Sequence, residues 1–180
     1  MTPVRDPDGA RRFELLLMPH LSAGFNLARW LTRSEQDAED LVQEAYLRAF
    51  RAFEGYRGGN PRAWLLSIVR NTCYSFLRQR RGQLGEPGAE TDPAEVPDDP
   101  AAGPEAQVIR RADGALLRRA LDELPVVFRE AIVLRELEGL SYKEIADVAG
   151  IPLGTVMSRL ARGRRQLQHA LMKRMGGSEP

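Results

Sequence analysis

The stretch LSYKEIADVAGIPLGTVMSRLARGRR, residues 140–165, decides how this chain is read. Ser141 and Glu144 stand at S-x-x-E spacing, in which a hydroxyl and a carboxylate each satisfy a backbone N–H at a helix start. Ile145, Ala146 and Val148 give the short helix that follows its apolar contacts. Gly150 supplies a residue able to enter the left-handed region and end that helix. Pro152 then fits the first turn of a second helix, where a missing N–H costs nothing. Two helices joined by a glycine turn predict a helix-turn-helix.

The second helix has two faces of different chemistry. At about 100° per residue, Val156, Leu160, Gly163 and Leu167 fall in one narrow sector, with Ser158, Ala161, Arg162 and Arg165 opposite and Thr155 and Arg159 flanking them. The apolar seam suits packing on the helix's own domain. The other side carries hydroxyls and guanidiniums, and arginine can take guanine O6 and N7 as a pair or clamp phosphate. Small Ser158 and Ala161 let the backbone approach the bases. Thr155, Ser158, Arg159, Arg162 and Arg165 are therefore expected to read duplex DNA, the plainer alternative being a solvated basic face.

Working outward, 180 residues with a 43% hydrophobic share support one or two small cores. A net charge of +1 conceals segregation. Residues 155–177 hold Arg and Lys but no acid, whereas residues 82–104 hold Glu86, Glu90, Asp92, Glu95, Asp98 and Asp99 and no base. Cys73 is the sole cysteine, which rules out an intrachain disulfide and suits a reducing compartment. No apolar run reaches the span of a bilayer, and the first residues lack the basic-then-apolar pattern of a secretion signal. A cytoplasmic location without membrane insertion is expected. His20, His169 and Cys73 are scattered, and no metal-ligand spacing, phosphate loop or nucleophile motif is present. The sequence thus predicts no enzyme: no catalytic residue, no metal site and no cofactor.

The expected fold class is all-α, two small helical domains joined by a flexible acidic linker. Residues 11–81 read as helical, opening with Phe13, Leu16 and Leu17 and continuing past Pro19 with Leu21, Phe25, Ala28 and Leu31. Ser34 is an N-cap, with Glu35, Asp37 and Glu39 near the positive end of the next helix. That helix carries Ala38, Leu41, Val42, Ala45, Leu47, Ala49 and Phe50 as its apolar positions. GYRGG at residues 55–59 breaks it, and Asn60-Pro61 caps another bearing Trp64, Leu65, Ile68, Val69 and Phe76. Residues 82–104, rich in Pro, Gly and acid, read as the linker. Extended at ~3.3–3.6 Å per residue, it reaches at most ~75–80 Å. Helical pattern resumes near Glu105 with Val108, Ile109, Leu116, Leu117 and Leu121, and Pro125 opens a helix with Val126, Phe128, Ile132, Val133 and Leu137. The second domain is set at residues 105–174.

These segments resemble a known family. DAEDLVQEAYLRAF at residues 37–50 resembles the core-binding segment of bacterial RNA polymerase sigma factors, in the extracytoplasmic-function (ECF) group of the sigma-70 family. PRAWL at 61–65 and VRN at 69–71 resemble the promoter-melting segment that follows. LDELP at 121–125, Phe128-Arg129 and residues 140–165 resemble that group's C-terminal DNA-reading domain. Both domains are covered in the right order.

The resemblance implies an alternative sigma factor that joins core RNA polymerase and directs it to promoters. Residues 11–81 would be sigma region 2, binding the polymerase and recognising and melting the −10 element, and residues 105–174 sigma region 4, reading the −35 element. The polymerase contacts implied are the β′ coiled coil and the β flap. Asp37, Asp40, Leu41, Gln43 and Glu44 would grip the coiled coil, carboxylates with an apolar partner suiting a basic, partly apolar helix. In the loop at 55–60, Tyr56 would stack on a flipped promoter base while Arg57 and Asn60 donate. Arg62, Arg70, Asn71, Tyr74 and Arg78 would follow the strand, Arg70, Tyr74 and Arg78 sharing one face. Trp64 reads as core rather than a melting wedge. An anti-sigma protein clamping both domains is also implied. Two residues depart from the family pattern: Ser75 stands where an aspartate is usual, and Met157 where a basic residue is usual. The competing reading is a two-domain helix-turn-helix regulator that binds operators as a dimer without joining polymerase. The N-terminal part offers it no obvious dimer helix or ligand pocket.

Overall fold

The computed structural model describes residues 7–83 and 113–176. Of the expected linker at 82–104, Gly82 and Gln83 are instead the last residues of a helix, and the rest lies outside the described residues, as do Val108 and Ile109. Among the described residues all regular structure is helical, and these residues divide into two compact units, each taken by itself below.

The first unit runs α1 (Pro7–Leu17), a 3-10 turn (Met18–His20), α2 (Leu21–Thr32), α3 (Glu35–Ala52), a second 3-10 turn (Phe53–Gly55) and α4 (Pro61–Gln83). The caps are those the sequence proposes. Ser34 Oγ accepts the Asp37 N–H at 3.2 Å to start α3. Asn60 Oδ1 accepts the Ala63 N–H at 3.2 Å, with Pro61 as first residue of α4. Pro19 falls in the 3-10 turn that separates α1 from α2. Leu17, Leu27, Leu31, Leu65, Leu66 and Val69 are buried between the helices. Gly24 of α2 faces Val69 of α4, where a Cβ would be in ordinary contact with Val69 Cγ2 at 3.4 Å. Of the apolar positions of α3, Leu47 and Phe50 stay outside the core, 58% and 42% exposed.

The second unit comprises α5 (Gly114–Asp122), α6 (Val126–Ile132) continuing into a π turn (Val133–Leu137), most of α7 (Tyr142–Ala149) and α8 (Leu153–Gly176). The reciprocal cap of α7 is complete: Ser141 Oγ accepts the Glu144 N–H at 3.1 Å, and a Glu144 carboxylate oxygen accepts the Ser141 N–H at 2.7 Å. Gly150 ends α7 at φ 65, a conformation that favours glycine. Pro152 sits one residue earlier than expected. It is the cap, its carbonyl accepting the Val156 N–H at 3.1 Å, and α8 begins at Leu153. The π turn has no counterpart in the sequence pattern. There the Glu138 N–H reaches back five residues to the Val133 carbonyl at 3.0 Å.

The family-like LDELP and Phe128-Arg129 positions are structural in this unit. Phe128 is fully buried. Arg129, 3% exposed, donates from a terminal nitrogen to the Leu124 carbonyl at 3.1 Å and the Asp122 carbonyl at 3.5 Å. It thereby satisfies the carbonyls left open where α5 ends.

Helices α6 and α8 meet at Gly163, where a Cβ would stand 2.9 Å from Ile132 Cδ1 and 3.3 Å from Phe128 Cβ. A branched side chain has no room there. Gly163→Leu is expected to destabilise this unit by ~1–3 kcal/mol through overpacking. Amide hydrogen exchange on α6 and α8 of the full chain checks it, with an acceleration of roughly tenfold or more expected and unchanged protection counting against the contact.

Candidate functional site

On α3 the buried residues Ala38, Leu41, Val42, Ala45 and Ala49 mark one side of the helix. At about 100° per residue, Asp40, Gln43, Glu44 and Leu47 lie on the other, at i, i+3, i+4 and i+7. All four are exposed. Leu41 is only 6% exposed. It belongs to the core and is corrected out of the outward set, because it shares the angular sector of Ala38 and Ala45. The apolar member of the outward stripe is Leu47, with exposed Phe50 close by. Asp37 is half-buried and pairs with Arg80 of α4 at 3.4 Å, so part of its charge holds the bundle. Glu44 pairs with Arg48 one turn on, an exposed contact within α3.

The loop at 55–60 and α4 form the second group. Tyr56 is 8% exposed. The expectation that its ring offers an open stacking face is corrected: it stacks on Phe53 at 5.7 Å between centroids and lies 4.9 Å from Trp64. Trp64, read as core, is half-buried in this aromatic cluster. Arg57 and Asn60 are exposed beside the loop. Along α4, the guanidinium of Arg70 lies 4.1 Å from the centre of the Tyr74 ring and donates to Asn71 Oδ1 at 3.4 Å. Arg70, Asn71, Tyr74 and Arg78 share a sector of about 100°. Arg62 stands off that sector, near the 3-10 turn. Burial, and then the charge of Arg62, hold the His20 pKa below its ordinary value.

The third group is α8. Val156, Leu160, Gly163, Leu167, Ala170 and Leu171 are its buried side. Thr155, Ser158, Arg159, Ala161, Arg162 and Arg165 lie half-exposed away from that seam, as the wheel predicts. The Ser158 hydroxyl donates to the Thr155 carbonyl at 3.1 Å. Met157 is 53% exposed next to them. Arg164, between these arginines in sequence, faces inward and pairs with Glu136 of the π turn at 2.7 Å. Burial opposes the Arg164 charge, but hydrogen bonding to Glu136 and Tyr142 outweighs it and raises the pKa. Arg135 packs over the Tyr142 ring, 4.8 Å from its centre, and donates to the Leu140 carbonyl at 2.9 Å. These contacts tie α8 and the start of α7 to the π turn.

Residues 16–83 match the family described as sigma-70 region 2, and residues 114–167 match sigma-70, region 4. The chain belongs to the sigma-70 family. Its relatives place it in the ECF group. It is 42% identical over 159 residues to the ECF RNA polymerase sigma factor SigE of Mycolicibacterium smegmatis, covering 88% of this chain and 61% of that protein, less than two thirds of that relative's length. It is 33% identical over 167 residues to the RNA polymerase sigma-H factor of Pseudomonas aeruginosa, covering 89% of this chain and 86% of that one. Among solved structures it is similar to the sigma factor RpoE from Bartonella quintana, crystallised in complex with the anti-sigma factor NepR. The TM-score is 0.70 at 32% identity, covering 89% of this chain and 97% of that chain. No helix among the described residues is long and apolar enough to cross a membrane.

In this sigma factor, residues that the sequence pattern did not single out hold the outward faces in place. Tyr46, in the middle of the region 2 motif, donates its hydroxyl to the Leu17 carbonyl at 2.8 Å and packs edge-on against Phe13. The signal was present in the sequence, as an aromatic hydroxyl beside the buried seam of α3. Burial pushes the Tyr46 pKa up to about 12 from its ordinary value of 10. The unfolded chain therefore ionises first. The stability that Tyr46 contributes is complete below pH 10 and is lost as pH rises through about 12. Urea unfolding of region 2 between pH 9 and pH 12 is expected to show this decline, and Tyr46→Phe to remove that part of it.

Proposed function

We propose that the chain is an alternative sigma factor that binds core RNA polymerase through the outward side of α3 and addresses it to promoters through two DNA-facing surfaces. Residues 11–81 serve as region 2, residues 82–104 as the tether and residues 105–174 as region 4. It works in the cytoplasm and catalyses no reaction itself. The observation that carries the reading is the exposed stripe Asp40, Gln43, Glu44 and Leu47, set opposite the buried seam of α3. Three hydrogen-bonding side chains around one apolar knob suit a basic amphipathic helix such as the β′ coiled coil. A repressor acting alone has no use for that stripe. The β flap is assigned to region 4.

The α4 sector of Arg70, Asn71, Tyr74 and Arg78, with Arg57, Asn60 and Arg62, is assigned to the −10 element. There guanidinium meets phosphate and Tyr74 offers a ring to an unstacked base. Thr155, Ser158, Arg159, Arg162 and Arg165 are assigned to the −35 element. An anti-sigma partner is inferred as well, supported by the RpoE neighbour, which was crystallised with one. Covering the α3 stripe and the α8 arginines together would block both activities.

Two outcomes test this. Asp40→Arg combined with Glu44→Arg is expected to abolish co-elution with core polymerase while circular dichroism stays unchanged. Co-elution at the wild-type level would defeat the core-binding assignment. Arg162→Ala is expected to weaken holoenzyme binding to a promoter's −35 element by ~1–3 kcal/mol if it holds a base edge. Equal affinity in a gel shift would take Arg162 off the reading face.

A further inference from the structure

The loop at residues 55–60 is braced from behind by its own tyrosine. The Tyr56 ring lies parallel to Phe53, 12° between planes, with Trp64 close against it. Its hydroxyl donates to the Gly59 carbonyl at 3.0 Å. Gly58 and Gly59 both adopt positive φ, 93 and 94. A Cβ at either would meet nothing within 4 Å. These glycines are therefore required by backbone conformation and not by crowding. A loop of two such residues has many alternatives in solution, and the hydrogen bond from Tyr56 is a specific contact selecting one of them. On the far side of the bend, Asn60 Oδ1 is engaged by the Ala63 N–H, which fixes that side chain at the start of α4. Arg57 lies exposed between the two anchors. A phenylalanine would fill the same aromatic slot yet leave the Gly59 carbonyl without this donor.

We propose that Tyr56 is a positioning residue for promoter opening: its hydroxyl holds the Gly58–Gly59 bend so that Arg57 and Asn60 face the displaced strand, while its ring stays in the protein and stacks on no base. This rests on the sigma-factor reading above. It assigns the base-contacting side of the loop to its outer surface and makes the phenolic oxygen, not the aromatic face, the group that matters.

The test uses holoenzyme assembled from the full chain and core polymerase, on a promoter duplex carrying 2-aminopurine at the −10 base that leaves the stack, whose fluorescence rises on unstacking. Tyr56→Phe is expected to slow that rise by roughly three- to tenfold, the loss of one hydrogen bond. Co-elution with core polymerase is expected to stay as in wild type. Gly59→Ala, which keeps the tyrosine but strains the bend, is expected to slow it comparably, and decides the matter should Tyr56→Phe fold poorly. A wild-type rise with Tyr56→Phe and a large loss only with Tyr56→Ala would mean that the ring and not the hydroxyl is what matters, and would overturn the proposal. Joint loss of fluorescence and co-elution would also overturn it, as a general structural role. Failure of the wild-type chain to unstack any base or to select any start site would instead sink the sigma-factor reading beneath it.

Discussion

Where α8 crosses α6, a Cβ at Gly163 would crowd the Ile132 side chain at 2.9 Å and Phe128 Cβ at 3.3 Å, and the outward face of α8 depends on that approach. Val156, Leu160 and Leu167 are buried in the same seam. Successive helix positions differ by about 100°, so a register slip of one residue would turn a guanidinium toward the core and a leucine toward DNA. The apolar seam makes that slip prohibitively costly. Ion pairs add to it from the flanks: Arg164 holds Glu136 of the π turn, and Arg174 holds Glu123 near the end of α5. Which arginines of α8 face outward is thus decided by which residues are packed inward.

The same logic places the outward stripe of α3, the surface proposed for polymerase. The small residues Ala38, Ala45 and Ala49, with Leu41 and Val42, let α3 sit close to its neighbours. The opposite side is then exposed along its length. Tyr46 limits its freedom further, since the hydroxyl bond to Leu17 joins α3 to the end of α1. An aromatic series through Phe13, Phe53, Tyr56 and Trp64 continues from there to the loop before α4. Region 2 therefore displays acidic and apolar groups on one helix and basic and aromatic groups on another from one shared interior.

Local chemistry was legible in the sequence, and tertiary choice was less so. The caps at Ser34, Asn60 and Ser141 and the left-handed Gly150 involve residues within a few positions of one another, so spacing alone carries them. The buried seam of α8 was equally readable, because its apolar residues fill one narrow sector. Helix α3 is more ambiguous, having apolar residues over most of its circumference. Angular arithmetic does separate them: Leu47 lies about 180° from Ala38, whereas Leu41 lies about 60° away. Hydrophobicity alone sets Leu47 beside Leu41 among the apolar positions, and the acidic neighbours of Leu41 draw it into the outward set as well. The interior place of Tyr56 had no periodic pattern to reveal it, since it sits in a turn and its partners Phe53 and Trp64 come from elements on either side. The π turn at Val133–Leu137 was likewise unreadable, because the backbone bond from Glu138 to Val133 depends on how the chain must reach α7.

The composition of the reading face bears on why such a chain works through a larger partner. Hydrogen-bond donors on the outward side of α8 come from Thr155, Arg159, Arg162 and Arg165, while the Ser158 hydroxyl is turned to the Thr155 carbonyl. Met157, exposed among them, carries a thioether that cannot donate to guanine O6 or N7, leaving contact with a thymine methyl as the interaction its chemistry allows. Any affinity such guanidiniums draw from phosphate is sequence-blind and falls steeply with salt. Under the proposed function, engaging two promoter elements at once adds selectivity. Holding both surfaces on one polymerase turns the second contact into an intramolecular one with a high effective concentration. On the proposed assignment, the stripe on α3 is as necessary to choosing a promoter as the arginines of α8.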